Sequence, residues 1–362
     1  MKLVFVLNQM YKAGGIERTI YHRLIELSKS YEIYLITLEN GDNPFYYGDL
    51  EGVNHIDLNL SFERKEDNSL KLNLKNILKT IFFIIKMQFF LRKIKPEFTI
   101  NVIGTHSFYL LSFLFFTGNL VLEHHASLHQ SPPNRLKRYI MRRFDKHIFL
   151  TEEELKLASF IKYKIVIPNP IQNYAINSIE YFSKKNRIVA AGRIVHVKGF
   201  DRLIKIWSNI HKKFPEWTVE IYGEPDVNVL HQLNSLIVKN HVQDTFFIKP
   251  ATSDILEILN NSKIYAMTSH FECFPMVLLE AMSVGSLVIA FDCPTGPRNI
   301  IDNNCGYLIE NDNIELFSNF LEKAILEENR SRDLALNAYE KSENFFISNI
   351  IEKWKIFFSK DS

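Results

Sequence analysis

Residues 187–204 read RIVAAGRIVHVKGFDRLI. An apolar run of strand length closes on a glycine, a short loop carries Arg193 and Lys198, and a helix pattern follows. Such a unit is the repeating piece of a parallel sheet crossed by helices. The same alternation extends outward in both directions. Strands are predicted at KLVFVLN, EIYLITL, FTINVI, NLVLE, HIFL and KIVIP before it, and at TVEIYG, TFFIKP, IYAMTS, LVIAFD and the short YLIE after it. Helices are predicted after Gly15, around residues 70–93, after Ser107, after Pro133 and after Thr151. The class is α/β.

The chain has 362 residues with 46% hydrophobic content, enough for two domains with separate cores. The Asn-, Pro- and Ser-rich stretch PNPIQNYAINSIEYFSKKNR divides the two strand series. The expected organisation is a first domain over 1–168, a hinge over 169–186, a second domain over 187–345 and a final helix over 346–362. Three cysteines without a C-x-x-C pair suggest neither a disulfide framework nor a zinc site, and they fit a reducing cytoplasm. KLVFVLN is too short for a secretory apolar region and reads as a first buried strand.

Net charge is +2, unevenly spread: +6 over residues 1–168 (23 Lys and Arg against 17 Asp and Glu) and −4 over the rest (20 against 24). LKLNLKNILKTIFFIIKMQFFLRKIK, from Leu70, contains no acid, and its interrupted apolar centre is shorter than the roughly 20 residues a membrane span needs. It reads as a basic amphipathic helix suited to an anionic bilayer surface, and NRLKRYIMRRFDK from Asn134 repeats the theme. No feature calls for a nucleic-acid partner. Packed helices with solvated basic faces are the plainer alternative.

Ligands of doubly wound sheets bind outside the carboxyl ends of the strands. Gly14 and Gly15 follow the first strand, where glycine lets backbone approach a ligand closely. Arg193 and Lys198 follow the strand RIVAAG, a fork of donors and a point charge that together suit a diphosphate. In HFECFPMVLLEAMSVG, residues 270–285, Pro275 is expected to open a buried helix. Glu272 precedes that helix and Glu280 lies within it. The amides of Phe274, Pro275's neighbour Met276, and Val277 would make an anion-attracting start. Two carboxylates beside an anion-attracting helix start need a reason that their spacing alone does not supply.

GGIER, GRIVHVKGFDRLI, FECFPMVLLEAMSVG and FDCPTGP, in this order and at these separations, resemble the family-4 retaining glycosyltransferases, over nearly the whole chain. The resemblance implies the GT-B fold: two Rossmann-like domains facing across a cleft, with a C-terminal helix returning to the first. It implies that Arg193 and Lys198 hold the diphosphate of a UDP-linked sugar and that Glu280 binds the ribose. Glu272 would bind hydroxyls of the transferred sugar, with Phe274, Pro275, Met276 and Val277 around it. A histidine at the end of a first-domain strand lies near the reacting sugar in that family. Here NLVLEHHAS offers His124 and His125; strand alternation lets only one face the cleft, and the E-H pairing favours His124, whereas register against other members favours His125. His106 is a lesser candidate. A metal reading of Glu123, His125 and His129 lacks further ligands at a recognisable spacing.

The resemblance further implies transfer of a hexosyl or N-acetylhexosaminyl group with retention of configuration, by front-side attack in which a donor phosphate oxygen takes the acceptor proton. The acceptor would be a lipid-linked or soluble saccharide in bacterial surface polysaccharide or glycolipid synthesis, at the inner face of the cytoplasmic membrane. No D-x-D occurs, so neither metal nor other cofactor is expected. Departures are Cys273 where many members carry glycine, the single glycine of YGEPD, and Asn299 where many carry glutamate. The rival readings are a nucleotide-sugar epimerase on the same scaffold and a non-catalytic binding or scaffold protein.

Overall fold

The structure, a computed structural model, describes residues 1–12, 14–63, 73–102, 110–174 and 179–359. The chain forms two compact units, Met1–Pro170 with Ile351–Ser362, and Ile171–Ile350.

The first unit holds a seven-stranded parallel sheet of β1 (Lys2–Leu7), β2 (Glu32–Thr37), β3 (Val53–Asp57), β4 (Phe98–Asn101), β5 (Asn119–Glu123), β6 (Lys146–Phe149) and β7 (Lys164–Val166), in the order β3-β2-β1-β4-β5-β6-β7. Leu3 to Leu7 are buried on both faces, as a central strand covered by helices requires. The reading from sequence did not include β3. Its residues VNHID form an edge strand with Asn54 and His55 exposed, so no apolar run marks it. Polar bonds hold it instead: Asp57 accepts from Thr37 Oγ1 at 2.6 Å and from the amide of Asn40 at 2.9 Å.

The second unit holds β8 (Lys185–Ala191), β9 (Thr218–Tyr222), β10 (Phe246–Lys249), β11 (Ser262–Met267), β12 (Leu287–Phe291) and β13 (Tyr307–Ile309), parallel and in the order β10-β9-β8-β11-β12-β13. Strand order reverses between β1 and β4 in one sheet and between β8 and β11 in the other, the two places where a doubly wound sheet opens a crevice.

Part of the stretch read as hinge belongs to the second unit. Tyr181 is buried in that unit's core, and the Lys184 ammonium donates to the Val284 carbonyl at 2.8 Å. The terminal helix spans Ile347–Ser359, and its residues from Ile351 group with the first unit, where Trp354 and Phe358 are fully buried. His106, the start of the helix expected after Ser107, and Lys71 lie outside the described residues.

Helix Leu74–Ile94 forms where the basic amphipathic pattern placed it, but its faces differ from a basic outward surface. Phe83, Met87 and Leu91 pack inward, while Lys79 and Lys86 donate to the carbonyls of Ser61 and Leu58 on the flank. The outward face is apolar, with Ile81, Phe82, Ile85 and Phe89 exposed. No helix among the described residues is long and apolar enough to cross a membrane. In the second basic segment only Arg135–Met141 is helical. Its Arg138 and the following Arg142 and Arg143 donate to carbonyls of Pro133, Phe160 and Ser112, so these cations serve the unit's own backbone.

Candidate active site

Three loops of the second unit, after β8, β11 and β12, are stitched together by backbone hydrogen bonds. The His270 amide donates to Val197 O at 2.8 Å, the Glu272 amide to Pro294 O at 2.9 Å, and the Thr295 amide to Glu272 O at 2.7 Å. Gly199 makes the first junction possible. Its φ is +62°, and a Cβ there would overlap the Thr268 carbonyl oxygen. Thr268 Oγ1 in turn donates to Gly199 O at 2.9 Å.

That stitching brings Lys198 and Glu272 together: Nζ lies 2.7 Å from Oε1, with both side chains mostly buried. Ser269 Oγ donates to the same carboxylate oxygen at 2.6 Å. Arg193 stands exposed in the loop after β8 and makes no ion pair among the described residues. Two of the residues read as ligand contacts are thus each other's partners, and one cation is left pointing outward.

Helix Met276–Ser283 begins one residue later than expected, with Pro275 as its N-cap at φ −77°. By the geometry of a helix start, the amides of Met276 and Val277 have no intrahelical acceptor. Phe274 is buried and packs on Phe345, with ring centroids 6.0 Å apart. Glu280 is only 5% exposed. Burial, followed by the charges of Glu272 and Glu280, pushes the Tyr265 hydroxyl far above its ordinary range, so this phenol is neutral. Burial and then Glu272 push the Cys293 thiol up to about 12, so this cysteine is a neutral packing group.

Arg202 was not singled out from the sequence. It is 3% exposed, its Nη1 donates to the carbonyls of Thr268 at 3.1 Å and Ser269 at 3.3 Å, and it pairs with Asp312. It therefore holds the loop that carries Glu272. Its place at the fourth position after Lys198 in KGFDR was visible; its direction was not.

In the first unit Gly14 caps helix Gly15–Ser28, and its backbone exchanges two hydrogen bonds with the Tyr47 hydroxyl. A Cβ on Gly15 would meet nothing within 4 Å. A cavity of about 130 Å³ adjoins this loop, lined by Asn8, Gln9, Lys12 and Glu17 among others.

Strand alternation sends the two histidines after β5 to different partners. His124 stacks on Phe149, centroids 4.2 Å apart, and its Nε2 lies 2.9 Å from His147 Nδ1. His147 Nε2 lies 3.0 Å from the Met141 carbonyl. Burial pushes His147 down to about 4 and His124 well below its ordinary value, so both rings are neutral near pH 7. A carbonyl only accepts, so His147 carries its proton on Nε2 and accepts at Nδ1 from His124 Nε2–H. His124 Nδ1 is then the lone-pair nitrogen. One edge of His124 is thus committed inside the unit, to His147.

His125 turns the other way, its side chain 3% exposed and its Nε2 2.9 Å from Glu123 Oε1. Glu123 also takes both guanidinium nitrogens of Arg23, at 2.6 and 2.7 Å, and Arg23 stacks against Trp354 at 4.4 Å. Glu123 is thus the counter-ion of a buried cation, which removes it from any ligand set with His125 and His129.

Residues 175–341 match the family profile described as Glycosyl transferases group 1. The chain is 30% identical to an uncharacterized glycosyltransferase of Haemophilus influenzae, over 98% of this chain and 99% of that one. It is 27% identical to the amylovoran biosynthesis glycosyltransferase AmsD of Erwinia amylovora, over 98% of each. Among solved structures, TarM of S. aureus in complex with Fondaparinux, alpha-GlcNAc-glycerol and UDP superposes with a TM-score of 0.78 over 99% of each chain at 16% identity, a likeness of fold. With two Rossmann-like parallel sheets, the motif loops gathered at the second sheet's switch point and a full-length relative at this identity, the chain belongs to the group 1 glycosyltransferases of GT-B fold.

Proposed function

We propose that this glycosyltransferase moves a hexosyl or N-acetylhexosaminyl group from a UDP-sugar, with retention and without a metal ion, to a lipid-linked saccharide during synthesis of a bacterial surface polysaccharide. It would work at the inner face of the cytoplasmic membrane. The observation that carries the donor half of this reading is the convergence of Lys198, Glu272 and the start of helix Met276–Ser283 at the switch point between β8 and β11, with Arg193 exposed in the loop after β8. Cations and helix-start amides suit a diphosphate leaving group, and the carboxylate suits sugar hydroxyls. When the donor binds, Lys198 would turn from Glu272 to phosphate and release the carboxylate for the sugar. Glu280, deeper in the unit, would meet the ribose. His124 would accept a sugar hydroxyl at Nδ1, and Gly14 and Gly15 would let backbone come close. The amylovoran relative and the UDP bound to TarM favour a UDP donor and a polysaccharide product.

The test is turnover across a panel of UDP-sugars, with the anomer of the product read by NMR. Arg193→Ala and Lys198→Ala should each lower kcat/KM about a hundredfold with the fold intact. Glu280→Ala should weaken UDP binding in calorimetry, whereas Glu272→Ala should relax sugar discrimination and slow transfer. EDTA should leave most activity. Near-normal rates in both cation variants, or activity wholly dependent on an added divalent ion, would overturn this assignment.

A further inference from the structure

Helix Leu74–Ile94 has two apolar faces. At 3.6 residues per turn its buried positions Phe83, Met87 and Leu91 point one way, while Ile77, Ile81, Phe82, Ile85 and Phe89 lie within an arc of about 140° on the opposite side. The outward set is strongly exposed, Ile85 at 58% and Phe89 at 62%. A surface helix of a soluble domain ordinarily presents polar residues there, and a contiguous apolar patch marks an interaction site.

The patch continues beyond the helix. Gln88 fixes the backbone of Phe115 by two hydrogen bonds, 2.6 Å to its carbonyl and 3.0 Å from its amide, and so sets Phe115, 73% exposed, beside the stripe. Exposed Phe116 follows, with the Arg92 guanidinium 5.9 Å from its ring. Cations frame the patch. Lys75, Arg92, Lys93 and Lys95 are exposed around it, and the helix contains no acidic residue. Lys75 lies 3.6 Å from Glu63, the one ion pair these four make among the described residues.

We propose that this face inserts into the surface of an anionic bilayer, the apolar stripe with Phe115 and Phe116 entering the acyl boundary while the flanking cations meet phosphate headgroups. Insertion, rather than adsorption of a basic face, is the consequence of Lys79 and Lys86 being turned to the carbonyls of Ser61 and Leu58. Against a second copy of the chain the same patch would oppose one cationic rim to another. The docking deepens the proposed function, on which it rests for its use: an enzyme held at a bilayer meets an acceptor carried on lipid.

The experiment is sedimentation with phosphatidylethanolamine vesicles, with and without phosphatidylglycerol, read independently of catalysis. Wild type should bind the phosphatidylglycerol vesicles and stay bound when salt is raised afterwards. The triple change Ile81→Ser, Ile85→Ser, Phe89→Ser should weaken binding about tenfold while nucleotide-sugar hydrolysis and the melting transition hold. Charge reversal at Lys75 and Lys93 should weaken capture at low salt. In Ile85→Trp the added fluorescence should shift to the blue on vesicles. Wild-type-like binding by the triple variant, no spectral shift, or a patch-dependent dimer in sedimentation velocity would overturn the proposal. Loss of vesicle binding in the triple variant would sustain the docking even if no UDP-sugar were turned over, which separates this proposal from the catalytic one.

Discussion

Gly199 and Gly15 are both glycines of candidate ligand loops, yet only one is required by the chain itself. Gly199 sits at positive φ with a carbonyl where a side chain would be, so Gly199→Ala should cost more than about 2 kcal/mol and loosen the junction that places Lys198. Gly15 has open space and helical geometry. Gly15→Ala should leave stability unchanged or raise it by about 0.5–1 kcal/mol, because alanine loses less entropy in a helix. If backbone at Gly15 approaches the substrate, the same variant should lose turnover. Urea denaturation beside steady-state rates checks both; equal destabilisation by the two substitutions would contradict this division.

Arg23, Glu123 and His125 tie helix Gly15–Ser28 to the end of β5 through one buried network. Burial raises the Glu123 carboxyl, but the charges of Arg23 and then His125 outweigh it and bring it down to about 2. A carboxyl lowered in the folded state contributes stability that is complete above its unfolded value and is lost as pH falls through the folded one. Stability of the first unit should therefore decline from about pH 4.5 toward pH 2, and Glu123→Gln should flatten that decline. At neutral pH the same substitution should cost about 3–5 kcal/mol, since it strands a buried guanidinium. Arg23→Met combined with Glu123→Gln should recover much of the loss. Melting curves across pH for the three proteins decide it, and a Glu123→Gln variant as stable as wild type would show that the pair is merely tolerated.

Each unit has its own core, and Trp354 and Phe358 of the terminal helix belong to the first one. Trp354 and Phe358 are fully buried there, with Phe358 5.1 Å from Phe98 and Trp354 6.4 Å from Phe5. Trp354→Ala removes a large core side chain together with the aromatic face under Arg23, so it should destabilise the first unit by about 3–5 kcal/mol. A two-domain chain need not unfold in one step. Calorimetry should show one transition shifted downward and the other, belonging to Ile171–Ile350, unmoved. A common shift of both would mean that the units unfold as one.

Periodicity alone was enough for the α/β class, for twelve of the thirteen strands among the described residues and for helix Leu74–Ile94, because buried parallel strands and amphipathic helices write their burial into the order of residue types. β3 escaped because an edge strand held by Asp57 and exposed on both sides carries no such pattern. The motif loops were legible as residue types: two cations, two carboxylates and a proline-led helix start. Their partners were not. That Lys198 is bound to Glu272, that Arg202 anchors the glutamate's loop, and that His124 shares a proton with His147 follow from strand order, which sets residues 23 to 100 positions apart side by side. The same holds for the membrane-facing reading of the basic helix. Sequence supplies its charge and apolar content, but the direction each side chain takes depends on which face the sheet buries, and only the tertiary structure turned the lysines to the flank and left the aromatic stripe outside.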